Sequence, residues 1–230
     1  VFDSQCYDNA AGFAPFPDPI GFLQPAPGST AIPLEDGQSA TGIDALLVRE
    51  PPRIVMTGRA YALASKGLLK VNPVADTGTV EDTGTSTRNK CAVPLTVGLL
   101  LAARALCSNV TTVTDPVDGV TAGSSVANVD LGLTGLPAVQ LRTVSASSGT
   151  GCGGSNGTTE IGFLKVGTRV LISNLVHPRP NTTINVLGIK LILNEQIHLP
   201  GGLTVNAVHL SVGSLENLVI GSATTAITGC

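Results

Sequence analysis

The side chains of this 230-residue chain that could do chemistry are three histidines, five cysteines and sixteen carboxylates. A serine hydrolase needs a serine on a strained turn with a histidine and a carboxylate in reach, and the sequence offers no Gly-x-Ser-x-Gly. Gly-Lys-Ser, Gly-Lys-Thr and Gly-x-Gly-x-x-Gly are also missing, which removes the phosphate-cradling loops. His177 precedes a proline, His198 precedes a Leu-Pro-Gly turn and His209 sits in an alternating run, so none has helical metal-ligand spacing. His198 and His209 with Glu195 form the one conceivable zinc set, but ordinary polar roles fit each better. Asp115-Pro-Val-Asp118-Gly119 lacks the dense oxygen spacing of a calcium loop and reads as an Asp turn. Asn194, Glu195, Asn206 and His209 could converge as a catalytic cluster; polar residues between apolar neighbours more often satisfy buried backbone groups or fix a corner. The expectation is therefore no catalytic residue, no metal and no cofactor.

The elements that carry these residues follow from composition. Hydrophobic residues make up 43% of the chain and charged residues 13%, and the apolar ones are Val, Leu, Ile and Ala rather than aromatics, a profile of strands. A net charge of −3 with Lys and Arg scattered singly leaves no basic stripe for nucleic acid. The longest apolar stretch, Val93–Leu106, is interrupted by Pro94 and Arg104 and is too short to insert in a membrane. The chain starts at Val1 without a basic-then-apolar leader, which fits an exported product after signal removal. Five cysteines with no Cys-x-x-Cys point to disulfides; one is odd, and fifteen pairing schemes are possible.

Residues 1–45 stand apart. Six prolines, from Pro15 to Pro33, forbid a helix, and Phe2, Tyr7, Phe13, Phe16 and Phe22 seek burial. The segment is expected to be an extended arm that either packs along its own domain or docks into a neighbouring subunit. In the second case Phe13, Phe16 and Phe22 fill pockets and Cys6 forms an intersubunit bridge.

Residues 46–230 form a single expected domain. Ten short apolar or alternating runs, separated by Gly, Pro, Asn, Asp and Ser, predict an all-β protein, an immunoglobulin-like or jelly-roll β-sandwich. Leu203, Val205 and Ala207 alternate cleanly, then His209 and Leu210 fall out of step and mark a bulge. Val93–Leu106 reads equally as a helix, with Leu95, Leu99, Ala102, Ala103 and Leu106 as its stripe. Asp76–Asn89 and Ser145–Thr159 read as surface loops. The sequons at Asn109, Asn156 and Asn181 are candidate glycosylation sites in or beside turns.

Leu193-Asn194-Glu195-Gln196, then Leu203-Thr204-Val205-Asn206-Ala207-Val208-His209, Val219-Ile220-Gly221-Ser222-Ala223 and the closing Cys230 resemble the choice-of-anchor P family of exported bacterial proteins. The Pro180-Asn181 turn and the alternating Ser124–Leu133 run add to the resemblance, which covers residues 53–230. It implies a β-rich cell-surface domain of no assigned activity, with structural roles for Asn194, Glu195, Gln196, Asn206 and His209. The chain ends at Cys230 without the family's usual sorting signal or membrane tail, which puts simple wall attachment in doubt. In family members a Cys before the Gly-rich turn and the last Cys match Cys152 and Cys230, so the resemblance pairs these two. The preferred scheme then joins Cys91 to Cys107 and leaves Cys6 free. The functional expectation is a secreted structural protein that polymerises with copies of itself through strand addition by the arm. The alternative is a monomeric adhesin or glycan-binding module, for which Tyr61 and Phe163 are the only aromatics beyond the arm.

Overall fold

The computed structural model describes residues 23–25, 47–49, 53–114, 117–132 and 134–230. The chain divides into Val1–Pro52 and Arg53–Cys230. Within the first unit β1 (Leu23–Pro25) pairs antiparallel with β2 (Leu47–Arg49). The arm residues Cys6, Phe13, Phe16 and Phe22 lie outside the described residues, as does Asp115.

The second unit is a β-sandwich of two seven-stranded antiparallel sheets, with no helix among the described residues. One sheet has the order β12 (Arg169–Ile172), β11 (Gly154–Val166), β10 (Val139–Gly151), β9 (Gly119–Leu131), β8 (Leu101–Val113) and β6 (Ser86–Ala92), with the short β7 (Leu95–Val97) also on β8. The other runs β13 (Thr182–Val186), β14 (Ile189–Leu199), β15 (Gly202–Val212), β16 (Glu216–Thr228), β3 (Val55–Gly67) and β4 (Val71–Val74), with β5 (Val80–Asp82) on β3. Each sheet is largely a meander of tight hairpins, and the pairing of the last strand with the first long one closes the second sheet. Aligned face to face, the sheets bury a core of Leu, Val, Ile and Ala.

Eight long strands share one irregularity. In β8, for instance, Leu101 and Ala103 face inward and then Leu106, Ser108, Val110 and Thr112 do, so the inward parity changes around Ala105. The same change occurs in β9, β10 and β11 and, across the core, in β14, β15, β16 and β3. The register is unbroken on either side, and the skipped row is Ala105, Ala127, Thr143 and Gly162 in one sheet and Asn194, Ala207, Gly221 and Ala62 in the other. On every second strand the residue at this level is left-handed: Ala105 (φ 51), Thr143 (φ 54), Asn194 (φ 50) and Gly221 (φ 68). A bulge in one strand alone would break its ladder; a bulge at one level in every strand keeps all ladders in register. The row is made of small residues because there is little room. A Cβ on Gly221 would meet Ala207 Cβ at 3.1 Å and Ser124 Oγ at 3.3 Å, and one on Gly162 would meet Thr143 Cβ at 3.0 Å.

This row explains why part of the sequence misleads. A period of two that slips by one residue puts Ala103 and Leu106 three apart, the spacing of a helix, yet Val93–Leu106 is a hairpin turning at Gly98 (φ 53) with Leu99 fully exposed. The out-of-step Leu210 reports the same slip in β15, where the parity change falls at Ala207 and the register against β14 and β16 stays constant, so no bulge of one strand against its neighbours forms at His209. Ser145–Thr159 is not a loop. It holds the second half of β10, a two-residue turn at Cys152 and Gly153, and the first half of β11. These halves are poor in aliphatics because their inward Ser148 and Thr150 bond across the core to Thr225, at 2.7 and 2.8 Å. Asp76–Asn89 likewise contains β5 and the start of β6.

Cys91 is bonded to Cys107 and Cys152 to Cys230. The first bridge lies between directly paired residues of β6 and β8; the second ties the β10–β11 turn to the C-terminus. In the chain-entropy picture they contribute roughly 3 to 5 kcal/mol each. Replacing Gly221 by Ala should cost about 2–4 kcal/mol, through left-handed strain and overpacking together. Gly78→Ala, also left-handed (φ 66) but open to solvent, should cost only about 1 kcal/mol. Urea unfolding of the two variants checks the difference, and equal losses would mean that the row is not tightly packed.

Candidate functional site

The polar residues singled out in the C-terminal half fall into two sets, because the left-handed Asn194 separates the faces to which its neighbours point. Asn194 is buried and faces the gap between the sheets. Its Nδ2 donates to Pro178 O at 2.8 Å, and its Oδ1 accepts from Thr159 Oγ1 at 3.3 Å and Gln196 Nε2 at 3.2 Å. Gln196 Nε2 also donates to Gly157 O of β11 at 2.9 Å, while its backbone N–H goes to Asn181 Oδ1 at 2.9 Å. Asn181 is itself left-handed (φ 58) and its N–H donates to Asn194 O. Asn194, Gln196 and Asn181 thus clamp the chain where it crosses from β12 in one sheet to β13 in the other. This is the corner role that the sequence favoured for such residues.

Glu195, Asn206 and His209 lie on the outer face of the second sheet. Glu195 and Asn206 are directly opposite, and Asn206 Nδ2 donates to Glu195 Oε2 at 2.7 Å. His209 Nδ1 lies 2.9 and 3.0 Å from the two carboxylate oxygens, and its Nε2 lies 3.1 Å from the Asn217 carboxamide. Both oxygens of Glu195 are therefore engaged within the protein. Asn206 Oδ1 is buried without a partner. The row continues across the strands to Ser222, buried at 2% exposure, and Tyr61, over whose ring Arg59 sits at 5.7 Å. The sequence named the Glu195, Asn206 and His209 group but not Asn217, Ser222 or Tyr61; only strand register brings these in.

His198 does not join Glu195, since residues three apart in this strand face opposite ways. His177 Nε2 lies 3.8 Å from Glu160 on a different element. Among the described residues no three His, Cys, Asp or Glu side chains form a group that could hold a metal ion.

Asp76 caps the free side of β3. Arg59 Nε and Nη2 reach its two oxygens at 3.0 and 2.7 Å, Gly78 N–H donates to it at 2.9 Å, and the neighbouring Thr77 exchanges hydrogen bonds with Ala60. The Arg59 hydrogen bonds hold the Asp76 carboxyl below the usual carboxylate range against partial burial.

Of the three sequons, Asn109 does not sit in or beside a turn. Asn109 lies within β8 opposite Gly123 and Asn156 within β11 opposite Gly149, both exposed; Asn181 alone is at a turn. Two disulfides mark a chain that folds in an oxidising environment, and among the described residues no helix is long and apolar enough to cross a membrane. The chain matches no family model, no curated protein and no solved structure.

Asn194→Ala should cost about 2–4 kcal/mol, by leaving Pro178 O and Thr159 unpaired and forcing alanine into a left-handed position. His209→Ala, whose side chain is 21% exposed on the outer face, should cost less, about 1 kcal/mol. Chemical denaturation of both distinguishes a clamp from a surface cluster. Because Asp76 titrates lower in the folded than in the unfolded chain, its stabilisation is present above the unfolded pKa of about 3.9 and fades as the pH falls through the lower folded value. Asp76→Asn should therefore flatten the loss of stability as the pH falls below about 4. An unchanged acid slope would show that the Arg59 pair does not contribute.

Proposed function

We propose that this protein is a secreted, non-enzymatic structural subunit, of the choice-of-anchor P type, that polymerises outside the cell by adding its N-terminal arm as a strand to the next copy. The observation that carries the reading is an open flank of the sandwich. β11 is paired with β10 along its whole length, but on its other side β12 meets only Leu164–Val166 and a bridge joins Ile161 to Val176. From Gly154 to Glu160 no described strand lies alongside. β14 is likewise covered by β13 only over Ile189–Leu193, and beyond the Gln196 clamp Ile197 and Leu199 are 45% and 37% exposed.

Unpaired edges of this kind are templates for strand addition unless they are blunted. The β6 edge and the free side of β3 are blunted. β6 presents Arg88 and Lys90, and β3 is covered by β4, β5 and the Asp76 capping turn. On the open flank Ile161 turns its backbone N–H and C=O outward to Val176, so Ser155, Gly157 and Thr159 point the same way, although Gly157 O already accepts from Gln196 Nε2. The arm, with Phe13, Phe16 and Phe22 able to fill pockets beside an added strand and Cys6 able to bridge subunits, supplies the complement. The absence of an acid–base–nucleophile group among the described residues, with Glu195 saturated by its neighbours, gives a secreted hydrolase no support.

Negative-stain microscopy and non-reducing mass analysis of the wild type should show ordered fibres. Ser155→Pro with Ile197→Lys should abolish them, since proline removes an outward donor at no cost to the β10 ladder. Loss of residues 1–45 should do the same. Fibres formed equally by both variants would sink strand addition, and uniform wild-type monomers would favour the monomeric adhesin or glycan-binding alternative.

A further inference from the structure

The two ends of the sandwich differ. At one end lie the hairpin turns after β3, β7, β13 and β15, and each tip carries an exposed leucine: Leu68 at 63%, Leu99 at 100%, Leu187 at 50% and Leu215 at 56%. The turns of the two sheets adjoin there, since a Cβ on Gly167, in the β11–β12 turn, would lie 3.3 Å from Leu187 Cδ1. Leu68 N–H donates to Leu215 O, so two of the four adjoin, and four exposed aliphatic side chains on the turns of one end invite cover.

Charge says what kind of cover. Lys66, Lys70, Arg169 and Lys190 flank these turns, all exposed and none with a carboxylate partner among the described residues. Two described carboxylates lie at this end and neither is available. Asp130 is ion-paired with Arg142 at 2.9 Å, and Glu216 is buried against Ser65 and the Leu69 N–H. The end is therefore cationic and apolar, a receptor for an acidic, apolar partner.

The chain itself holds such a partner. Residues 1–52 carry seven carboxylates and one arginine, while residues 53–230 carry twelve cations and nine carboxylates. Glu35, Asp36, Asp44 and Glu50 lie in the part nearest the sandwich. The chain enters the sandwich at the opposite end from the leucines, where Arg53 O lies against Gly229 and the Cys152–Cys230 bridge closes the C-terminus.

We propose that the leucine- and lysine-bearing end of one subunit is the docking surface for the acidic root of the arm, residues 35–50, of the preceding subunit. This rests on the assembly reading above and gives it a direction. An arm that leaves one end and binds the far end of the next copy makes a head-to-tail contact that does not close on itself, which yields an open fibre.

The test is a charge swap in the full-length chain. Variant one carries Lys66→Glu, Lys70→Glu and Lys190→Glu; variant two carries Glu35→Lys, Asp36→Lys and Asp44→Lys. Each alone, with unchanged circular dichroism, should raise the critical concentration for assembly by at least about tenfold in sedimentation velocity. An equimolar mixture should restore fibres, because each arm then meets a complementary end, and added salt should weaken wild-type fibres. If the wild type assembles and variant one assembles equally well, or if the mixture stays monomeric, end docking is overturned while strand addition stands. A wild type that sediments as a monomer overturns both. Flotation with vesicles containing phosphatidylserine covers the other acidic surface: binding that variant one abolishes, without any change in its assembly, assigns the end to lipid and overturns the proposal.

Discussion

Backbone pairing across eight strands forces them to slip together. Each ladder fixes its neighbour's register, so a strand that needs an extra residue at mid-length can have it only if the whole sheet does. The row from Ala105 to Gly162 in one sheet and from Asn194 to Ala62 in the other is the result. Much else in the sandwich follows. The row dictates left-handed backbone on alternate strands, opposite inward parity in the two halves of every long strand and, in the second sheet, a buried level of mostly small residues. It also places Asn194 where its side chain can turn inward while Glu195 turns out.

That divergence gives the C-terminal polar motif its two jobs. The inward set, Asn194 and Gln196 with Asn181, holds the second of the two crossings between the sheets, from β12 to β13. Without a fixed crossing, β13 and β14 would have no reason to start in register against β15. The outward set, Glu195, Asn206, His209 and Asn217, is a self-contained network in which both carboxylate oxygens are used and one amide oxygen of Asn206 is left over. Such a network orders a surface; it leaves no free base or nucleophile.

Among the described residues, one flank and one end of the sandwich carry no covering strand, and the two are of different chemistry. The flank offers backbone hydrogen-bonding groups and two aliphatic side chains. The end offers leucines and cations. The first 52 residues are acidic and rich in aromatics, the composition that the proposed assembly calls on.

The sequence by itself determined the all-β class, the disulfide chemistry and the polar motif, since strand propensity, turn residues and cysteine usage are local properties that survive without neighbours. The resemblance supplied the Cys152–Cys230 pairing, which the structure contains. The lone signal of the central row was the misfit of Leu210 after Ala207. Tertiary structure alone decided the rest. Val93–Leu106 became a hairpin because a slipped alternation mimics helical spacing and only the β9 partner resolves it. Ser145–Thr159 became strand because its inward hydroxyls find partners in Thr225, seventy-odd residues away. Strand order, the split of Asn194 from Glu195, the membership of Asn217, Ser222 and Tyr61 and the open flank all depend on pairings between segments far apart in the chain. Side-chain type does not encode those pairings one residue at a time.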